Sequence, residues 1–182
     1  MIFTESPLKG AYLVQPELLI DERGFFARSW CAREFGAHGL ETRLVQCNIS
    51  YNERHGTLRG MHYQAKPYAE DKLVRCTRGA IYDVIIDLRI ASGSFGKHFG
   101  ITLSAENKSM LQIPKGFAHG FLTLKDNTEV FYQISEYYTP ECARGIRWND
   151  PAFGIEWPEE VRVISDRDRS YLDFDLRISP TE

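Results

Sequence analysis

The sequence predicts an all-β protein, a double-stranded β-helix or jelly roll with a few short helices. Short runs of strand-forming residues follow one another closely through the middle of the chain, and turn residues such as Arg78-Gly79 separate them. Many short strands at close spacing are typical of sandwiches and barrels. Because the 182 residues contain no repeat, low-complexity tract or linker, we expect residues 1–182 to form one domain.

The turns define the boundaries of the expected strands. Arg78-Gly79 separates the third strand from the fourth, Ser92-Gly93 the fourth from the fifth, and Pro114-Lys115-Gly116 the sixth from the seventh. Helical periodicity is best developed at Cys31–His38, and the polar tail after Trp157 is expected to wrap around the barrel. The predicted strands are Leu44–Ile49, Thr57–Gln64, Lys72–Arg78, Ala80–Leu88, Lys97–Leu103, Ser109–Ile113, Phe117–Thr123 and Glu129–Tyr138.

Composition and charge restrict the class of function. An apolar fraction of 43% and a charged fraction of 26% are typical of a soluble globular chain. A net charge of -3 without a basic run argues against a nucleic-acid partner, and the longest apolar runs are too short to span a membrane. The first residues lack a secretion signal, so a cytoplasmic location is expected. Four widely spaced cysteines are expected to be buried thiols: Cys31, Cys47, Cys76 and Cys142.

A histidine, a lysine and a tyrosine lie on three of the expected strands, at His62, Lys72 and Tyr132. Residues two apart share a face of a strand, so each projects with the alternate residues of its own run. If the three strands share a sheet, these side chains can line one cavity in the mouth of the barrel. A base, a cation and a phenol are the groups required to move a proton on and off a carbon next to a ketone.

In such a reaction the base removes the proton and the cation holds the charge that moves onto the carbonyl oxygen. A phenol, with a pKa near 10, is protonated at neutral pH and can return a proton to the opposite face, which inverts the centre. Structural roles stay open for His62, which can bond a backbone carbonyl, and for Tyr132, which can be ordinary core. Lys72 is harder to explain structurally, because lysine is rarely buried without a partner.

A metal site is the main alternative. Small β-barrels of the cupin type carry His-x-His with a nearby Glu, followed later by Pro-x-Gly-x-x-His. The later motif is present and ends at His119, but Gln64 stands where the second histidine belongs, and Lys72 would repel a dication. His62 and His119 with Glu70 then form a poor ligand set, so we expect neither a metal nor another cofactor.

Three further polar residues have two interpretations each. Arg59, next to Gly60, and Arg23 can bind phosphate, for which the guanidinium is well shaped, or form surface ion pairs. Asp168, in a polar loop, becomes functional only if it reaches His62, where a carboxylate would orient the ring and raise its basicity.

Seven ordered segments match one known family. They are Asp-Glu-Arg-Gly-Phe-Phe at 21–26, Gly-Thr-Leu-Arg-Gly-Met-His-Tyr-Gln at 56–64, Lys-Leu-Val-Arg-Cys at 72–76, Ile-Pro-Lys-Gly-Phe-Ala-His-Gly-Phe at 113–121, Tyr132 with Tyr-Tyr-Thr-Pro at 137–140, Trp-Asn-Asp-Pro at 148–151, and Ser-Asp-Arg-Asp at 165–168. On these residues the chain resembles the dTDP-4-dehydrorhamnose 3,5-epimerase family of nucleotide-sugar epimerases.

The resemblance implies a jelly-roll homodimer that exchanges amino-terminal strands and acts on a nucleotide-linked 4-keto-6-deoxy hexose without metal or redox cofactor. The nucleotide is expected to be dTDP, with CDP and GDP as alternatives. By position, His62 resembles the general base, Asp168 its carboxylate partner, Lys72 the group that stabilises the C4 enolate, and Tyr132 the acid on the other face. The substrate-binding positions are Arg23, Phe25, Arg28, Gln46, Asn48, Arg59, His119, Phe121 and Tyr138.

Three positions depart from the family pattern, which commonly has glutamate at Arg28 and Ala143 and frequently has aspartate at Cys47. All three are binding positions, so the sugar, the nucleotide and the number of inverted centres stay open. Two other functions also stay open. A 3,4-ketoisomerase would keep the histidine base but need a donor other than Tyr132, and a non-catalytic sugar-nucleotide-binding cupin would need no titratable triad.

Overall fold

The structure, a computed structural model, describes residues 1–175. Its helices are α1 (Ala32–Ala37) and α2 (Asp166–Arg169), with a 3-10 turn at Pro140–Cys142. The strands are β1 (Ile2–Glu5), β2 (Tyr12–Gln15), β3 (Leu19–Asp21), β4 (Gly24–Phe26), β5 (Gln46–Asn52), β6 (Thr57–Gln64), β7 (Lys72–Arg78), β8 (Ala80–Asp87), β9 (His98–Ser104), β10 (Met110–Ile113), β11 (Phe117–Thr123), β12 (Thr128–Ile134), β13 (Ala143–Gly145) and β14 (Val163–Ile164).

Two sheets carry the architecture, which confirms the predicted all-β jelly roll. The first sheet has the order β1-β2-β10-β7-β12-β5, and the second has the order β13-β6-β11-β8-β9. Neighbouring strands along these two orders are antiparallel, and β14 adds a short parallel pairing to β6. The hairpin β3–β4 stands outside both sheets. The strands β10, β11 and β12 each lie beside a strand that is distant in sequence, whereas β9 pairs with β8, the strand before it in the chain.

The alternation along the strands explains how the core becomes a polar cavity. Val74 and Cys76 on β7 and Val130 on β12 are buried in the apolar cluster between the sheets. Two residues beyond Val74, on the same face of β7, lies Lys72, and two residues beyond Val130 on β12 lies Tyr132. The inward faces of these strands are thus apolar at one end and functional at the other.

Several expected boundaries shift. The predicted strand Leu44–Ile49 begins at Gln46 and continues to Asn52, and the predicted strand Glu129–Tyr138 ends at Ile134. Beyond Ile134 the chain leaves the sheet, and Ser135 N–H donates to the Asp71 carbonyl while Tyr138 N–H donates to Gln46 Oε1 over 2.7 Å. The helix expected at Cys31–His38 is present, with these two residues as its caps.

The amino-terminal strands β1 to β4 were not among the strands predicted from the pattern. The expectation of four buried thiols is also wrong for three of them: Cys31 and Cys142 are half-buried, and Cys47 is exposed because β5 is an edge strand and Cys47 lies on its outer face. Cys76 is buried as expected, and burial raises the pKa of its thiol to about 11. Within residues 1–175 no helix is long and apolar enough to cross a membrane.

Candidate active site

A cavity of about 700 Å³ opens between the sheets and adjoins a second of about 430 Å³. His62, Lys72 and Tyr132 line both cavities, so the predicted convergence of these three residues is confirmed. The condition under which the sequence placed them together, a single shared sheet, is not met. Lys72 and Tyr132 come from the first sheet, whereas His62 comes from the second. The base candidate therefore faces the other two groups across the cavity.

His62 forms a short hydrogen bond with Asp168, the carboxylate expected to be functional only if it reaches this histidine. Its Nε2 lies 2.7 Å from Asp168 Oδ1, and Asp168 is almost fully buried whereas the His62 ring is partly exposed to the cavity. Helix α2 holds Asp168 in place, because the hydroxyl of its N-cap residue Ser165 accepts a hydrogen bond from the Asp168 N–H over 3.1 Å. A carboxylate fixed in this way orients the imidazole ring toward the cavity.

A bulge in β6 provides a second donor to Asp168. Opposite β11 the register shifts, because His62 pairs with His119 while Arg59 pairs with Phe121, which leaves one extra residue on β6. The N–H of Gly60 in this bulge donates to Asp168 Oδ2 over 3.2 Å. Because of the bulge, the Gly60 N–H does not pair with β11 and instead donates to the Asp168 carboxylate.

The ionised form of Asp168 is favoured in the folded chain. Burial alone would raise its pKa, but the hydrogen bond and charge of His62, the Gly60 N–H and Ser165 together outweigh burial, so the pKa lies below the usual value. Asp168 consequently remains a carboxylate at neutral pH and can stabilise a positive charge on His62.

Lys72 has a partner in the structure, the carboxylate of Glu70. Its Nζ lies 2.9 Å from Glu70 Oε1, and the two side chains are only 11% and 9% exposed. Glu70 Oε2 also accepts a hydrogen bond from Gln64 Nε2 over 3.0 Å. The ammonium therefore faces the cavity as one member of a partly buried ion pair.

Tyr132 lies on β12 between β7 and β5, with Val74 and Asn48 as its neighbours across the sheet. Burial, followed by the negative charge of Glu70, raises the pKa of its hydroxyl, while Arg59 opposes the shift. The phenol is accordingly protonated at neutral pH and available as a proton donor.

A second histidine–carboxylate pair lies beside the first. His119 on β11 is the cross-strand neighbour of His62, and its Nε2 lies 2.8 Å from Asp83 Oδ1 on β8. Asp83 is fully buried, and its Oδ2 has no hydrogen-bond partner within residues 1–175. His119 lines the larger cavity, so the structure places it among the site residues as predicted.

Five of the predicted binding residues also lie at the cavities. Arg59 lines the larger cavity and donates from Nε to Asn52 Oδ1 over 2.7 Å, which fixes the guanidinium at the wall. Phe121 lines the larger cavity, and the adjoining cavity is lined by Gln46, Asn48 and Tyr138.

Three predicted binding residues lie elsewhere in this chain. Arg23 at the tip of the hairpin pairs with Asp21, and Arg28 pairs with Glu34 over 3.1 Å. Phe25 lies under the Lys108 ammonium, 5.1 Å from the ring centroid, and lines a separate pocket. A single chain does not bring these residues to the cavities, so their binding roles stay predictions that require a second chain.

Sequence reasoning missed three polar residues of the site. The sequence pattern suggests Glu70 only as a metal ligand, although an acid two residues from a buried lysine also indicates an ion pair. Asp83 is an acid inside the apolar run of β8, which is itself a signal. Arg167 lines both cavities, and its Nε donates to the hydroxyl of Tyr171 over 2.9 Å.

Gln64, which occupies the position of a cupin metal ligand, is fully engaged in hydrogen bonds. Its Nε2 donates to the carbonyls of Tyr68 and Tyr137 as well as to Glu70, and its Oε1 accepts from Thr139 N–H over 2.6 Å. Across residues 1–175 no three His, Cys, Asp or Glu side chains are arranged to hold a metal ion.

The fold and this cavity define a jelly-roll protein equipped for acid–base chemistry, and comparison with known proteins gives its family. The family model for dTDP-4-dehydrorhamnose 3,5-epimerase matches residues 5–175. A dTDP-4-dehydrorhamnose 3,5-epimerase of Shigella flexneri is 44% identical over 182 residues, covering 98% of this chain and 99% of the relative. The chain therefore belongs to the dTDP-4-dehydrorhamnose 3,5-epimerase family.

Solved structures agree with this membership. The dTDP-4-dehydrorhamnose 3,5-epimerase of Bacillus anthracis with TDP and PPi bound has a TM-score of 0.92 at 42% identity, covering 95% of this chain and 99% of that one. The dTDP-6-deoxy-D-glucose-3,5-epimerase of Legionella pneumophila in complex with dTDP-4-keto-L-rhamnose has a TM-score of 0.86 at 38% identity, covering 92% and 89%.

Proposed function

We propose that this protein inverts C3 and C5 of a nucleotide-linked 4-keto-6-deoxy hexose, with dTDP-4-dehydro-6-deoxyglucose as its substrate. One observation carries the proposal: the His62–Asp168 pair faces Lys72 and Tyr132 across one cavity, from opposite sheets. The family membership, and the TDP and dTDP-4-keto-L-rhamnose named as ligands of two solved relatives, support the choice of sugar nucleotide.

In the proposed mechanism His62 removes the proton from a carbon next to the C4 ketone. Asp168 stabilises the imidazolium that forms, because its carboxylate already accepts a hydrogen bond from the ring. The electron pair moves onto the C4 oxygen, where the Lys72 ammonium stabilises the enolate. Tyr132 then donates a proton to the same carbon from the opposite face. Substrate and product have the same oxidation state, so the reaction consumes no redox cofactor.

Different walls of the two cavities can bind different parts of a sugar nucleotide, the diphosphate and the base. Arg59 and Arg167 provide guanidinium groups for a diphosphate. Tyr138, with its ring exposed at the adjoining cavity, offers a face on which a base can stack. Ala143 lines the same cavity, where relatives commonly carry glutamate, and it leaves this wall uncharged.

The proposed active form is a homodimer in which the β3–β4 hairpin completes the partner's cavity. Leu19 and Ile20 on this hairpin are 66% and 78% exposed, and Phe26 is 68% exposed. Such a run of exposed apolar side chains is typical of an interface. The same hairpin and the segment after it carry Arg23 and Arg28, so exchange would bring both to a neighbouring site. We propose the cytoplasm as its location, where the free thiols of all four cysteines would be maintained.

The decisive experiment incubates the protein with dTDP-4-dehydro-6-deoxyglucose in deuterated water and locates the label in the product by NMR. We expect deuterium at both C3 and C5 and inverted configuration at both centres. Label and inversion at one centre only would make the protein a mono-epimerase. Movement of the ketone to C3 would show a ketoisomerase, and binding without exchange of either proton would show a non-catalytic binding protein. Each of these three outcomes contradicts the proposal.

A further inference from the structure

We propose that Glu70 is a positioning residue that fixes the Lys72 ammonium in the wall of the cavity and presents a negative charge to the cavity that Tyr132 lines. Its catalytic consequence rests on the function proposed above. Glu70 is not one of the residues that the acid–base mechanism uses, yet it contacts one of them directly.

The contacts of Glu70 hold its carboxylate from two sides. Oε1 lies 2.9 Å from Lys72 Nζ, and Oε2 accepts from Gln64 Nε2 over 3.0 Å. The Gln64 amide is itself fixed by backbone groups of Tyr68, Tyr137 and Thr139. The carboxylate is therefore anchored to two loops through a buried amide, in addition to its contact with Lys72.

Lys72 needs such an anchor. A lysine side chain is a flexible four-carbon stem, and holding its ammonium at one point costs rotamer entropy. Because both side chains of the pair are about nine-tenths buried, water supplies little competition for the ammonium. Glu70 attenuates the charge of Lys72 but keeps it where an oxyanion would form, and preorganised charge of this kind is the form that contributes most to catalysis.

The charges around Tyr132 give Glu70 its second effect. Arg59 and His62 face the cavities from β6, Lys72 from β7 and His119 from β11. Arg144 of β13 and Arg167 of α2 line the adjoining cavity. The carboxylate of Asp168 is committed to His62, so among residues 1–175 Glu70 is the remaining acid that lines the two cavities. It counterbalances a mainly basic environment and opposes ionisation of the phenol.

The test is Glu70→Gln, which keeps the shape of the side chain and removes the charge. The matched control is Glu106→Gln, which breaks the exposed Glu106–Lys125 ion pair of 2.8 Å far from the site. The first measurement needs no substrate: the phenolate absorbance is titrated through the alkaline range, and the Tyr132→Phe variant identifies the contribution of Tyr132. We expect the Tyr132 titration to move to lower pH in Glu70→Gln and to stay unchanged in the control.

The second measurement is turnover. We expect kcat to fall roughly 10- to 100-fold in Glu70→Gln with a smaller change in KM, because a misplaced group typically costs on that order. The alkaline limb of the kcat profile should move to lower pH in parallel with the titration. A Glu70→Asp variant, which keeps the charge but shortens the reach to Lys72, should lower kcat while restoring the titration.

An unchanged phenolate titration in Glu70→Gln, or a kcat equal to or above that of the wild type, would overturn the proposal. Melting curves of Glu70→Gln and Glu106→Gln identify a general loss of folding. If Glu70→Gln does not fold, the kcat and the titration of Glu70→Asp test the proposal instead. If the wild-type chain epimerises no nucleotide-linked 4-keto sugar, the proposed function fails, whereas the substrate-free titration still tests Glu70.

Discussion

His62 and Tyr132 face the same cavity from opposite sheets, His62 from β6 and Tyr132 from β12. With His62 as base and Tyr132 as acid, as proposed above, a proton would leave on one side of a bound molecule and another would arrive from the opposite side. This separation turns a pair of ordinary acid–base groups into an arrangement that can invert a stereocentre.

The first prediction concerns the base. His62→Ala should lower turnover and the exchange of substrate protons with solvent together, by roughly 100- to 10,000-fold, because both require the same proton abstraction. Asp168→Asn should act in the same direction, since it removes the charge that stabilises the imidazolium. Asp166→Asn, in the same short helix but exposed, is the control and should leave both rates near the wild-type values. A His62→Ala chain with a near-normal rate would refute the assignment of the base.

The second prediction concerns the acid. In Tyr132→Phe the base and the enolate-stabilising group are intact, so exchange of substrate protons with deuterated water should continue in part. Inverted product should not appear, because the proton donor on the opposite face is missing. NMR of the recovered sugar nucleotide measures both. Tyr137→Phe, at an exposed tyrosine that lines neither cavity, provides the control. Inverted product at the wild-type rate would assign the donor elsewhere.

The third prediction concerns the bulge that aims a donor at Asp168. Gly60 has a φ of +135°, and a Cβ there would lie 2.5 Å from the Cα of Gly120. Gly60→Ala should therefore lower the free energy of unfolding by about 2–4 kcal/mol, from backbone strain and steric overlap. At Gly93 a Cβ would meet nothing within 4 Å, so Gly93→Ala is the matched control and should be close to neutral. Equal stabilities of the two variants in urea unfolding would contradict this account of β6.

The fourth prediction concerns a buried acid outside the site. Burial raises the pKa of Asp71 from 3.8 to about 6, with Lys115 opposing and Glu41 adding to the shift. The folded chain thus binds this proton more tightly than the unfolded chain does. The resulting stabilisation is fully present below about pH 4 and is lost as the pH rises through about 6.

Asp71→Asn should remove this pH dependence. Relative to the wild type, the variant should gain about 1–3 kcal/mol of unfolding free energy at pH 7 to 8 and should be nearly unchanged at pH 4. Denaturant unfolding at fixed protein concentration measures the difference, and the pH 4 comparison serves as the internal control. A variant that is less stable than the wild type at pH 8 would mean that the carboxylate gains more from Lys115 than it loses by burial.

The fifth prediction concerns the exchanged hairpin. Chains with Arg23→Ala and chains with His62→Ala should each be weakly active alone. Refolded together, they should recover about a quarter of the wild-type turnover, since half of the dimers are mixed and each mixed dimer has one intact site. Mixing of Lys72→Ala with His62→Ala chains is the control and should recover nothing, because both residues belong to the same chain's cavity. No recovery in the first mixture would show that Arg23 acts within its own chain or does not act at all.

The sequence identified the inward-facing site residues because successive side chains of a strand point alternately to its two faces. His62, Lys72 and Tyr132 could be placed by this rule before their strands were paired, although the rule did not reveal that two sheets contribute them. The Glu70–Lys72 ion pair depends on the path of the loop before β7. The Gly60 donor depends on a register shift between β6 and β11. Neither the path of this loop nor the register of these strands can be predicted from local sequence, because both follow from packing between distant segments.

The proposed base and the proposed acid come from different sheets. The thickness of the core therefore also determines the distance between His62 and Tyr132. Val74, the cross-strand neighbour of Tyr132, and Ile85 on the facing sheet are both fully buried between the sheets. A change of volume at either position would change the separation of the two sheets, and with it the distance between His62 and Tyr132, without a substitution at either of these residues. Substitutions in the hydrophobic core are therefore a second route, besides substitutions of the cavity residues, by which the spacing of the proposed base and acid can be adjusted.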